Sequence, residues 1–148
     1  MALVPEVLSS SVPRSLAAID IGSNSFRLEL GRVASGRYRR DDYLKETVRL
    51  GAGLDEQSCL TEAAFERGLA TLASFAKRLQ GFDPARLRAV ATQTLREARN
   101  RDEFLRAAQR VLGFPIEVIS GREEARLIYT GVSFLQPSDE PRLVVDIG

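Results

Sequence analysis

The sequence predicts a mixed α/β domain. Three observations predict it. Apolar strands near the start are joined by turns too short for anything but antiparallel neighbours. From Thr61 onward, helix-period and strand-period segments alternate. An apolar strand running into Asp-x-Gly occurs twice, at Ala18-Ile19-Asp20-Ile21-Gly22 and at Val144-Val145-Asp146-Ile147-Gly148, which suggests two related half-sites facing one ligand. A length of 148 residues suits one domain of ordinary size.

The elements follow in order. Residues 1–15 read as a flexible leader, interrupted by Pro5 and Pro13. Leu16 to Ile21 is a buried strand. Phe26 to Val33 is the second, closed by Ala34-Ser35-Gly36. Tyr38 to Leu50 is a third, more polar strand, followed by the loop Gly51-Ala52-Gly53-Leu54. Thr61 to Gln80 is the clearest helix, with Thr61 as N-cap, Glu62 in its first turn and an apolar stripe of Phe65, Leu69, Leu72, Ala76 and Leu79. Phe82-Asp83-Pro84 turns into the strand Leu87 to Thr92. Asn100 to Leu112 is a second helix, with capping-box spacing between Asn100 and Glu103 and an ending at Gly113 and Pro115. Pro115 to Ile119 is a fifth strand, and Ser120 to Leu135 a third helix. A polar linker, residues 136–141, leads to the terminal strand Leu143 to Ile147. Three meandering strands followed by helix, strand, helix, strand, helix make a mixed sheet of the ribonuclease H-like type, the half-unit of actin-like and sugar-kinase folds. Residues 16–135 form that domain, and 136–148 hold a linker and the first strand of a second one. The chain stops where the second turn should begin, so the sequence reads as the N-terminal part of something longer.

Composition excludes several chemistries. Hydrophobic content of 44% and charged content of 28% are ordinary for a globular protein. A net charge of +1 argues against a polyanion-binding surface over the whole domain, so a nucleic-acid duplex is not an expected partner and anion recognition should be local. The cations are 19 Arg and 2 Lys. There is no His and only one Cys, Cys59, so Ser–His–Asp and Cys–His catalysis are impossible and a disulfide framework is excluded. No apolar run approaches the ~18 residues needed to span a membrane, and nothing at the N-terminus reads as a signal peptide. A cytoplasmic location is the simplest expectation.

Four segments could carry chemistry. After Asp20, Gly22 permits a sharp bend and close approach to a ligand. Ser23, Asn24 and Ser25 offer backbone N–H groups and short polar side chains. The description fits a phosphate cradle with Asp20 available to a hydrated cation; the alternative is a hairpin whose polar turn carries an Asp. Asp146 repeats the context, and the pair could hold a divalent cation or simply shape turns. Thr92-Gln93-Thr94-Leu95-Arg96 leaves a strand and opens a helical segment, where Arg96 could contact a phosphate in bidentate fashion. Otherwise a Thr caps the helix and Arg96 is solvated. In Ser120-Gly121-Arg122-Glu123-Glu124, the S-x-x-E spacing gives Glu123 a capping role. Ala125, Ile128, Val132 and Leu135 form the expected buried stripe, Glu124 falls on its edge, and Glu123 points away. Glu124 is therefore placed to hold a water as general base, or merely to complement the helix dipole.

Together these segments resemble the exopolyphosphatase and guanosine pentaphosphate phosphohydrolase family of the actin-like ATPase superfamily. The likeness runs from about Leu16 to Gly148. Asp20 to Leu28 looks like the first phosphate motif, Ala91 to Arg96 like the Thr-Leu-Arg loop, and Ile119 to Tyr129 like the segment bearing the catalytic glutamate. Val145-Asp146-Ile147-Gly148 looks like the start of the second phosphate motif, whose further glycines and Ser or Thr are missing.

The resemblance implies metal-dependent hydrolysis of a terminal phosphoanhydride. Glu124 would be the base for the attacking water. Asp20 and Asp146 would bind Mg²⁺. Gly22, Ser23, Asn24 and Ser25, with Arg96 and Gly148, would hold the phosphate. Polyphosphate is the first expected substrate and guanosine pentaphosphate the alternative; the full-length protein would be a homodimer. With half of the clamp absent, this chain alone is expected to be inactive, and its terminal apolar strand to pair between molecules. A superfamily kinase and a non-catalytic nucleotide-binding module are the competing classes. Glu124 argues against the kinase, and Asp20, Arg96 and Glu124 together argue against the module.

Overall fold

The computed structural model describes residues 15–147. The expected leader therefore lies outside the described residues except for Ser15, which already opens the first strand, and Gly148 lies outside them too. Strands β1 (Ser15–Ile21), β2 (Ser25–Ala34) and β3 (Arg37–Thr47) form an antiparallel meander. Then come α1 (Glu62–Arg78), β4 (Leu87–Ala91), α2 (Gln93–Glu97), α3 (Arg101–Leu112), β5 (Ile116–Val118) and α4 (Gly121–Leu135). One sheet runs β3-β2-β1-β4-β5, with β1–β4 and β4–β5 parallel. This is the mixed, ribonuclease H-like sheet that the order of elements predicts.

Strand alternation assigns the two faces of the sheet. Ala17, Ile19 and Ile21 of β1, Phe26 and Leu28 of β2, and Ala89 and Ala91 of β4 are buried. They join Leu72 and Phe75 of α1 and Phe104, Ala108 and Leu112 of α3 in one core. Each large side chain buried there contributes about 1.5–3 kcal/mol. The buried line of α1 is Ala64, Gly68, Leu72 and Phe75, continuing to Leu79, rather than the stripe through Phe65, Leu69 and Ala76. The reason is Gly68: a Cβ there would lie 2.9 Å from the Phe104 ring, so the bare backbone takes the centre. Phe65 flanks it and meets Phe104 edge to face at 5.1 Å.

Several boundaries move for local reasons. β3 ends at Thr47, before Leu50, because the Val48 and Arg49 N–H groups both donate to the Asn24 carbonyl and Gly51–Gly53 forms a 3₁₀ turn. Thr61 caps α1 as expected, its hydroxyl accepting from the Ala64 N–H. Asn100 precedes α3 but makes no side-chain cap; its amide pairs with the Leu60 backbone in both directions, at 2.8 and 3.0 Å. Gly113 ends α3 in the left-handed region at φ 82°.

The other face of the sheet is covered only in part, by α4, which has no fully buried residue. Of the expected buried stripe, Ile128 and Val132 are only half-buried and Ala125 and Leu135 are exposed, while Leu127 turns toward the sheet. Residues 141–147 are not a strand. A strand needs a ladder partner, both flanks of β1 are taken, and the segment pairs with no other strand among the described residues. Leu143 and Ile147 are thus left about nine-tenths exposed, at 88% and 91%. No helix among the described residues is long and apolar enough to cross a membrane.

Candidate active site

The candidate residues gather where β1 and β4 end, side by side and parallel. The register sets Ile21 beside Ala91, and the Thr92 N–H donates to the Ile21 carbonyl. The two segments after these strands therefore leave the sheet together. The first is the turn Gly22-Ser23-Asn24. The Gly22 N–H donates to the Ser25 carbonyl at 3.2 Å, and a Cβ on Gly22 would lie 2.8 Å from that same oxygen. The turn is as tight as expected, and glycine is what it admits.

The loop after β3 braces this turn. Gly51 N–H donates to the Ser23 carbonyl at 2.9 Å, while Val48 and Arg49 hold the Asn24 carbonyl. The Thr94 hydroxyl, from α2, donates to the Ser23 hydroxyl at 2.8 Å. Carbonyls of the turn are thereby drawn inward. The N–H groups of Ser23 and Asn24 have no backbone acceptor among the described residues. Ser25 is only 4% exposed, at the start of β2. α2 is only five residues long, so few peptide dipoles align there and it serves chiefly to carry Thr94 and Arg96.

Asp20 is the penultimate residue of β1, on the half-covered face. Arg27 stands directly across the hairpin and donates from Nη1 to Asp20 Oδ2 at 3.0 Å. Burial raises the pKa of Asp20; Arg27 opposes this, and the charges of Glu124 and Asp146 add to the rise. Asp146 sits in the irregular segment 141–147 rather than at a strand end. Beside Asp20 lies a cavity of about 310 Å³ lined by Arg27, Glu29, Tyr43, Arg88 and Leu127 among others.

Glu124 is fixed by the start of α4. Ser120 caps the helix, its hydroxyl accepting from the Glu123 N–H at 3.2 Å. Arg96 Nη1 donates both to Glu124 Oε2 and to the Ile119 carbonyl, each at 2.9 Å. Glu123 does not return the capping bond and does not point away. It is half-buried and takes two bonds from Arg126, at 2.7 and 2.8 Å, with Arg88 approaching at 3.7 Å. Hydrogen bonding from Arg126 and the nearby Arg88 hold its carboxyl below the usual range.

Arg96 and Glu124 thus meet directly, the Glu124 charge acts on Asp20, and Thr94 of α2 bonds the Ser23 hydroxyl of the Gly22 turn. Sequence reasoning assigned no role to Arg27, Arg88 or the Gly51 turn. Arg27 was legible, since a hairpin turning at Ser23 and Asn24 sets residue 20 opposite residue 27. The other contacts are long-range and carry no local signal.

A relative from Haemophilus influenzae, named "Putative exopolyphosphatase", is 48% identical over 135 residues, which is 91% of this chain and 42% of that protein. The chain accordingly spans less than half the length of the curated relative it matches. The structure resembles that of the Aquifex aeolicus PPX-GPPA enzyme, with a TM-score of 0.79 at 31% identity over 86% of this chain and 42% of the other. It also resembles an exopolyphosphatase from Cytophaga hutchinsonii, with a TM-score of 0.77 at 28% identity over 85% and 40% of the two chains. A family model described as the Ppx/GppA phosphatase family matches residues 42–148. Covering most of the chain and agreeing with both sequence and structural relatives, that match establishes that the chain belongs to the Ppx/GppA phosphatase family.

Proposed function

We propose that the full-length protein hydrolyses the terminal phosphoanhydride of inorganic polyphosphate and releases orthophosphate, with the residues described here forming one wall of its site. The observation that carries this reading is the Arg96–Glu124 pair beside Asp20. It supports a site in which a guanidinium binds the anion, a neighbouring carboxylate holds a water, and Asp20 takes a cation.

The roles follow from chemistry. The N–H groups of Ser23 and Asn24 and the Arg96 guanidinium bind the terminal phosphate, which is negatively charged and geometrically suited to a planar fork. Glu124 takes a proton from the attacking water; general-base help of this kind is worth about 10²–10⁴-fold. Electrostatic stabilisation of the transferring phosphoryl group comes from the same guanidinium and amides.

The donor set fits Mg²⁺. Among the described residues no three carboxylates form a complete protein cage. Mg²⁺ ordinarily keeps several waters and takes one or two carboxylates plus substrate phosphates. Asp20 and Asp146 would hold it; burial is the main cause of the raised Asp20 pKa, the charges of Glu124 and Asp146 add to it, and a divalent cation would favour the ionised form. The ion would neutralise phosphate charge.

Phosphate release by the full-length protein, with Mg²⁺, from long-chain polyphosphate and from guanosine pentaphosphate tests this reading. Wild type is expected to prefer polyphosphate, and Glu124→Ala to lose release while keeping its fold. Preference for guanosine pentaphosphate would reassign the substrate. Unchanged release by Glu124→Ala would remove it as the base. The 148-residue chain on its own is expected to show no turnover.

A further inference from the structure

Glu124 and Arg96 have conflicting duties in the proposed reaction. A carboxylate held by a guanidinium is a poor base, and a guanidinium held by a carboxylate is a poor phosphate ligand. Both are free only when the pair opens. Yet Arg96 also bonds the Ile119 carbonyl just before α4, so it is a main fastener of the helix that carries Glu124. α4 otherwise packs only through half-buried residues such as Leu127, Ile128 and Val132.

A second arginine approaches the same turn as an ion-pair partner. Arg88, on β4, is set by Glu117 on the neighbouring β5, with Nε and Nη2 donating to Glu117 Oε2 at 3.3 and 2.9 Å. Its Nη2 then reaches Glu123 Oε1 at 3.7 Å. Glu123 and Glu124 are consecutive, and each is held by an arginine from a different element. We propose that Arg88 is a positioning residue: by tethering Glu123 to the sheet, it keeps the first turn of α4 in place when Arg96 leaves Glu124 for the substrate phosphate. This inference rests on the proposed hydrolysis at the same site.

Arg126 supplies a sharp contrast. It bonds Glu123 more closely than Arg88 does, but it lies on α4 itself, three residues along. It can neutralise Glu123 and cannot tether the helix to anything. If only the charge of Glu123 matters, Arg126 is the more important partner. If the tether matters, Arg88 is.

The test is steady-state polyphosphate hydrolysis by the full-length protein carrying Arg88→Ala, Arg88→Lys, Arg126→Ala or Glu124→Ala. Arg88→Ala is expected to lower kcat about tenfold with KM within about twofold, since small misplacements of a reacting group cost rate rather than binding. Arg88→Lys should recover part of the loss, and Arg126→Ala should stay near wild type. Melting temperatures should differ little, because exposed ion pairs contribute little to stability. Equal losses for Arg88→Ala and Arg126→Ala, or a kcat for Arg88→Ala equal to wild type, would overturn the tether. If Arg88→Ala proves unstable, Glu117→Gln, which loosens Arg88 without touching α4, should show the same fall in kcat at a smaller size, and a wild-type kcat there overturns the proposal too. Failure of Glu124→Ala to reduce hydrolysis would instead overturn the reading of the site itself.

Discussion

One nitrogen of Arg96 bonds two acceptors that are five residues apart: the Ile119 carbonyl, where β5 has just ended, and the Glu124 carboxylate, one turn into α4. The guanidinium thereby spans the strand-to-helix turn. A Cβ added at Gly121 would lie 3.9 Å from Arg96 Nη2, so the guanidinium sits close to the helix start. Arg96 sits between two jobs, fastening Glu124 and meeting a phosphate.

Replacing Arg96 separates those jobs. Arg96→Ala is expected to lower the kcat/KM of the full-length protein about 10²–10³-fold, the cost of removing a preorganised donor from a developing charge. The fold should lose only about 1–2 kcal/mol, the worth of the bonds removed from a part-buried site. Arg96→Lys keeps the charge but not the fork, so it should regain phosphate affinity less than in proportion to its charge. Phosphate release and urea unfolding together read both effects. Activity of Arg96→Ala close to wild type would remove the residue from the phosphate site.

Two glycines should fail in different ways. Gly68→Ala would bring its Cβ within 2.9 Å of the Phe104 ring in the core, away from the phosphate turn. Overpacking of that kind costs about 1–3 kcal/mol, and catalysis per folded molecule should survive. Gly22→Ala would press on the Ser25 carbonyl, a backbone atom of the turn itself. It should reduce kcat/KM well beyond what its loss of stability explains. Unfolding curves paired with active-fraction measurements distinguish the two; equal behaviour would mean that the turn geometry is not what the reaction needs.

What could be read from the sequence follows the range of the interactions. The meander, the Gly22 turn and the helix caps at Thr61 and Ser120 rest on spacings of a few residues, and they stand where periodicity puts them. The α1 stripe slipped because Gly68 is buried by Phe104, which is 36 residues away. Asn100 left its cap for Leu60, a partner 40 residues distant. The terminal segment looked like a strand because its apolar residues run together, but composition does not supply a ladder partner. Among the candidate residues, Asp20, Arg96 and Glu124 stand out in the sequence because each lies near a strand end or just after a strand or cap. Arg88 and the Gly51 brace were not, because their roles exist only once β4, β5 and α4 are adjacent.

Asn100 gives a prediction confined to stability. Its amide donates to and accepts from the Leu60 backbone, tying the loop before α1 to the start of α3. Asn100→Ala leaves a part-buried N–H and C=O without partners, which costs about 1–3 kcal/mol for each group that water cannot reach. Asn100→Asp retains the acceptor and loses the donor, so it should fall between the two. Denaturant midpoints measure this, and equal stability of wild type and Asn100→Ala would show that water replaces both bonds.

Asp20 carries the pH dependence. Burial raises its pKa above the usual 3.8, Arg27 pulls it down, and the charges of Glu124 and Asp146 push it up further. A carboxyl whose pKa is higher in the folded state than in the unfolded one binds its proton more tightly when folded. Its favourable contribution is complete below 3.8 and is lost as pH rises through the folded pKa. At neutral pH the ionised Asp20 therefore weighs against folding. Asp20→Asn should melt above wild type at neutral pH, and the gap should close as pH falls toward 4, about the ordinary carboxyl value. Mg²⁺ should reverse the order: it should raise the melting temperature of wild type, whose carboxylates it neutralises, and leave Asp20→Asn nearly unmoved. Thermal melts of both proteins across pH, with and without Mg²⁺, read the two effects together. A gap that widens on acidification would contradict the sign of the shift, and an equal response of both proteins to Mg²⁺ would remove Asp20 from the metal site.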